Sequence, residues 1–144
     1  MSIVSLHFRT FVHETEDEQK VIDAMKFATG LEEFERDESE GHHGNRIVIL
    51  EGHMKDKKAV KQWFKRMPQD DIGTMLATLE QRVDEDCFIF FRLDKQKAFL
   101  GELAMTTGDD AIAVRGKVQS YPRKLEVALT GAREFLSGYL AQEK

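Results

Sequence analysis

Asp84, Glu85 and Asp86 stand directly before Cys87, the one cysteine of the chain. Three carboxylates and a thiol in four residues could hold a metal. Magnesium takes a few carboxylates and fills its remaining positions with substrate phosphate. That chemistry would make the chain a metal-dependent nuclease using Asp84 and Asp86. The spacing argues against it, because neighbouring side chains on an extended chain point to alternate sides and Glu85 turns away from the other two. No general base stands nearby. Acids that join a helix to a strand and pair with Arg82 account for the segment without catalysis. Zinc would need His42, His43, His53 and Cys87, whose spacings match neither a C-x-x-C pair nor a paired-histidine site. Cys87 itself lies on the apolar side of its strand, where a thiol is a small hydrophobe with no histidine oriented to activate it. The sequence therefore predicts a protein that is not an enzyme, with no catalytic residue, no metal and no cofactor.

Binding chemistry is better represented. The net charge of −5 over 144 residues hides alternating blocks. Residues 14–40 hold 11 acids and 3 bases, residues 41–66 hold 7 bases and 2 acids, residues 67–86 hold 6 acids and 1 base, and residues 87–124 hold 7 bases and 4 acids. An acidic chain with two basic segments can carry a basic face, and distribution decides partners more than the sum does. In "KDKKAVKQWFKR" at 55–66, Lys58, Lys61 and Lys65 fall on one side of a helix, opposite Val60, Trp63 and Phe64. The glycine-bracketed "GHHGN" at 41–45 lacks the lysine and helix of a P-loop, yet its backbone and histidines could meet a phosphate.

These residues need a scaffold. Residues 3–12 alternate as a half-buried strand. Thr15 with Glu18 reads as a capping box opening a helix that Gly30 ends. Strands are expected at 31–38 and 46–53, then helices at 57–67 and 70–81, separated by Pro68. Further strands are expected at 86–93, 98–105 and 111–120, before a long helix opened by Pro122. Runs of adjacent strands imply an α+β fold: a two-layer domain spanning 1–144, with a mostly antiparallel sheet and helices on one face. One cysteine fits a reducing compartment, and the alternating N-terminus is no signal peptide, so the expected location is the cytoplasm. No apolar run approaches the ~20 residues of a membrane span.

If the helices cover the apolar face, the other face displays His7, Arg9, Arg92, Arg115 and Lys117 beside Phe88 and Phe90. Cations meet phosphates and flat rings stack on unpaired bases, which suits RNA. A second core layer, a homodimer interface or a surface docking on a larger complex would use the same phenylalanines.

Four segments, "HFRTFVHETEDEQKV" at 7–21, "GHHGN" at 41–45, "RVDEDCFIFFRLDKQKAFLGE" at 82–102 and "VQSYPRK" at 118–124, resemble in this order an archaeal RNA-binding family described as a predicted exosome subunit. The resemblance spans nearly the whole chain. It implies a fold similar to the large-subunit ribosomal protein that binds five-S RNA, and a role in RNA processing, turnover or ribosome assembly alongside other RNA-processing proteins. No catalytic motif is carried over. The matching positions that could touch RNA are His43, Asn45, Arg92, Lys95, Lys97, Lys117 and Lys124. Asp84, Glu85, Asp86 and Asp94 match as well, and would hold Arg82, Arg92 and Lys95 in place.

Overall fold

The computed structural model describes residues 3–40 and 44–140. Its elements run β1 (Ile3–Val12), α1 (Glu18–Thr29), β2 (Glu35–Glu40), β3 (Arg46–Met54), α2 (Lys57–Lys65), α3 (Gln69–Ala77), α4 (Leu79–Arg82), β4 (Phe88–Asp94), α5 (Lys95–Phe99), β5 (Ala111–Val118) and α6 (Leu125–Ser137). The five strands form an antiparallel sheet in the order β2-β3-β1-β5-β4. The fold is α+β, as the element order predicts.

Packing divides the chain into two compact units. The first comprises Met1–Leu6, Met54–Phe91 and Arg115–Lys144; the second comprises His7–His53 and Arg92–Val114. β1, β3, β4 and β5 each give residues to both, β3 only its last residue, Met54, to the first.

In the first unit α2 lays Val60, Trp63 and Phe64 into the core. The rings of Trp63 and Phe64 lie 5.9 and 6.3 Å from that of Phe91, on the buried face of β4. Gly116 lets β5 run close beneath this core. A Cβ there would sit 3.0 Å from both Ile3 and Ile89, tighter than ordinary packing allows. The single helix expected over 70–81 is divided into α3 and α4 at Thr78, whose hydroxyl donates to the Thr74 carbonyl and accepts from Arg82 Nε.

In the second unit α1 begins two residues later than the Thr15 capping box predicts. The Asp17 carboxylate accepts from the backbone N–H groups of Gln19 and Lys20, the arrangement that satisfies orphan donors at a helix start. Glu18 is used instead by Arg36, which donates at 2.7 and 2.9 Å and holds the Glu18 carboxyl below its ordinary range. β2 starts at Glu35 rather than at residue 31, and all six of its residues are exposed.

The expected strand at 98–105 is not one. Asp94 accepts from the Lys97 N–H and caps the single turn α5, and Gly101, at φ 85°, follows it in a left-handed conformation. Local capping overrides the strand propensity of Phe99, Leu100 and Leu103. The chain then returns along β4 by one isolated bridge, Leu93 to Met105.

Candidate nucleic-acid interface

The acidic cluster before Cys87 is a turn. Asp84 accepts through one carboxylate oxygen from the N–H groups of Asp86 and Phe88, both at 3.0 Å. Its backbone N–H donates to the Phe88 carbonyl, and Val83 bridges Ile89. Cys87 closes the turn at φ 66°, a left-handed conformation uncommon outside glycine and asparagine, with its side chain buried. Arg82 does not pair with these acids, contrary to expectation. It donates to Thr78 and, at 3.4 Å, to the Phe90 carbonyl, and burial pushes its guanidinium down from the usual value. Asp86 instead meets Arg123 at 3.9 Å, with both side chains largely exposed. One oxygen of the Asp84 carboxylate is thus committed to backbone donors.

β4 alternates as expected. Ile89, Phe91 and Leu93 are buried, Phe90 and Arg92 are exposed, and Phe88 is half-buried. On β5, Arg115 and Lys117 are exposed and Val114, Gly116 and Val118 are buried. Within the first unit this puts Phe88, Phe90, Arg115 and Lys117 on the open faces of neighbouring strands. The Arg115 guanidinium lies over the Phe88 ring at 5.1 Å, within cation–π range, and Arg115 is itself exposed. Phe90 keeps 41% of its surface exposed, enough to stack a base.

The lysine stripe of α2 is elsewhere in this unit. Lys58, Lys61 and Lys65 are exposed, but α2 covers the buried side of β4, opposite Phe90. The stripe and the open strand face are therefore separate surfaces. Lys124, at the N-cap of α6, is exposed and follows Tyr121, which is 93% exposed. This tyrosine was missed, although its place beside Pro122 in a polar stretch signals a surface loop.

In the second unit Arg9 is exposed and sits over the Phe11 ring at 5.2 Å. Phe11, 40% exposed, is a further stacking candidate that alternation along β1 could have supplied. His7 is half-buried and bonded to Glu51 at 2.6 Å, so it is already partnered. Arg92 is exposed but donates to the Gly108 carbonyl and to Asp109. Lys97 and Asn45 are exposed, and His43 lies outside the described residues.

Lys95 corrects the expectation most clearly. It is 3% exposed, and its ammonium donates to the Phe11 carbonyl, to Glu16 and to Asp110 at 2.9, 3.0 and 2.7 Å. All three of its donors are used inside the protein, so no phosphate reaches it. Asp94, expected to hold Arg92 and Lys95, instead caps α5. Of the residues a zinc site was weighed on, His42 and His43 lie outside the described residues; among the described residues the groups with metal-ligand spacing are His7–Glu51–His53 and His13–Glu16–Asp110.

A family model described as RNA binding matches residues 5–118. The chain belongs to this RNA-binding family. It is 34% identical over 144 residues to the RNA-binding protein PAB1135 of Pyrococcus abyssi, covering 93% of this chain and 94% of that one. Among solved structures it resembles Mth689, a DUF54 protein of Methanothermobacter thermautotrophicus, with 35% identity, a TM-score of 0.82 and coverage of 94% and 99% of the two chains. It likewise resembles AF2318 of Archaeglobus fulgidus, with 34% identity, a TM-score of 0.79 and coverage of 92% and 99%. Family membership gives the paired rings and cations of the open strand faces their chemical context. RNA is read largely through stacking on aromatic and guanidinium planes, with cations on the phosphates.

Proposed function

We propose that the chain is a non-catalytic RNA-binding protein, an accessory factor in cytoplasmic RNA processing or turnover at the exosome, or in ribosome assembly. The observation that carries this reading is the cluster on the first unit's open strand face: Phe90 exposed, Arg115 over Phe88, and Lys117 beside them on β5. Rings without nearby cations would suit a protein partner equally well. Exposed cations that share a face with rings suit a polyanion whose bases are free to stack.

Salt dependence separates the surfaces. Each phosphate contact to a single strand contributes roughly 0.7 to the slope of log affinity against log salt. The double variant Arg115→Gln/Lys117→Gln should lower that slope by about 1.4 across unrelated single-stranded RNAs. Lys58→Gln/Lys61→Gln/Lys65→Gln, on the far side of β4, should leave it within roughly 0.7 of the parent. A slope that falls only in the lysine variant moves the RNA path to α2.

The non-catalytic reading has its own test. With magnesium or manganese the purified protein should leave single-stranded RNA intact, because Asp84 serves the turn. Asp84→Asn keeps an acceptor for the two N–H groups and should be tolerated. Asp84→Ala should cost about 1–2 kcal/mol in denaturant melts, the range for losing a cap of this kind. Cleavage by the parent that disappears in Asp84→Asn would establish a nuclease instead.

A further inference from the structure

We propose that His7, Glu51 and His53 form a binding site for a divalent transition-metal ion of the zinc class on the second unit. β1 and β3 are neighbours in the sheet. The two-residue period of β3 puts Glu51 and His53 on one face, while Val48, Leu50, Gly52 and Met54 are buried on the other. His7 faces them from β1. One ligand atom from each of the three residues lies within 4.8 Å of the other two, and the two imidazole rings are 4.6 Å apart.

Two imidazoles and one carboxylate make a ligand set that zinc accepts with a fourth position left to water or another oxygen donor. Ligands held roughly 2.0–2.1 Å from a tetrahedral ion lie about 3.4 Å from one another. The present 2.6 Å contact between His7 Nε2 and Glu51 therefore needs to open by less than one ångström, well within side-chain adjustment. Both partners sit on strands, so the backbone geometry is fixed beforehand. The side chains of His7 and Glu51 are only 16% and 31% exposed, and His53 is exposed and provides the entry. The register of β2 on β3 sets Glu35 directly across from Glu51, which adds a second carboxylate to that side of the sheet.

The other grouping, His13–Glu16–Asp110, lacks this capacity. Its two carboxylates already accept from the buried ammonium of Lys95, which takes the place a metal cation would need. Glu51 carries no such burden: among the described residues its ion-pair partner is His7. The proposal stands apart from RNA binding and would survive the failure of that reading.

The test titrates zinc into untagged, chelator-stripped protein against a chromogenic competitor. One saturable equivalent per chain is expected, with a zinc-dependent rise in melting temperature. His53→Ala removes an exposed ligand and leaves the fold intact. It should bind at least ~10-fold more weakly and lose the thermal shift, as should Glu51→Gln and His7→Ala. His13→Ala should bind as the parent does. Cobalt(II) in place of zinc should give the intense visible bands of a four-coordinate ion in the parent and lose them in His53→Ala. Absence of saturable uptake, or His53→Ala binding zinc as tightly as the parent, would overturn the assignment.

Discussion

Phe91→Ala should lower stability by about 3–5 kcal/mol, the range for emptying a packed aromatic site. The ring is 3% exposed and wedged against Trp63 and Phe64, so its removal leaves a cavity that α2 cannot close without moving two large rings. Its neighbour should behave in the opposite way. Phe90→Ala, on the open face, should shift stability by no more than about 0.5 kcal/mol. It should nevertheless weaken single-stranded RNA binding by about 1–3 kcal/mol, the contribution of one stacking platform. Denaturant melts and a titration with a labelled strand read both effects. Were Phe90→Ala to unfold the chain as Phe91→Ala does, both faces of β4 would be core and the stacking surface would not exist. Unchanged RNA affinity in a folded Phe90→Ala would remove that ring from the interface.

Lys95→Met is expected to cost about 2–3 kcal/mol at neutral pH, because three charge-assisted hydrogen bonds disappear together. Methionine preserves the stem's packing, but Glu16 and Asp110 are left as adjacent like charges. Their side chains remain 20% and 51% exposed, so water relieves part of the loss and keeps it below that of a fully buried pair. The effect has a pH signature. Burial pushes the Asp110 carboxyl up, while the hydrogen bond and charge of Lys95, helped by His13, pull it further down, and the net displacement is downward. A carboxyl depressed in the fold stabilises above its unfolded value and loses that contribution as pH falls through the folded one. The gap between parent and Lys95→Met should therefore be full at neutrality and narrow as pH drops below about 4. A gap that is constant down to acid would mean that Lys95 acts by packing alone. The salt slope of RNA binding should be unchanged in this variant, since its ammonium is turned inward.

Alternation and periodicity are local properties, and what they govern was legible. The strand character of β1, β3, β4 and β5, the apolar stripe of α2 and the opposite burial of Phe90 and Phe91 follow from side chains two, three or four positions apart. What was not legible depends on partners distant in sequence. Lys95 reads as one more surface cation until Glu16 and Asp110, 79 and 15 positions away, are brought to it. His7 meets Glu51 and His53 only because β3 lies beside β1, a pairing that neither segment encodes alone. α5 was lost for another reason: one capping aspartate outweighed the strand propensity of the residues that follow it.

The outermost strands have a bearing on how crowded a solution the protein tolerates. An edge strand presents unpaired backbone groups that can recruit another chain and seed aggregates. β2, at one edge, is "ERDESE", with every residue exposed and five of six charged. A second copy laid against it would bring carboxylates opposite carboxylates. At the other edge, segments of the same chain occupy β4's outer backbone positions: Val83 bridges Ile89, Asp94 N–H donates to the Ala104 carbonyl, and Thr106 N–H donates to the Arg92 carbonyl. One margin repels and the other is already taken. Each edge thus carries a feature that opposes strand addition, the common hazard of an open sheet.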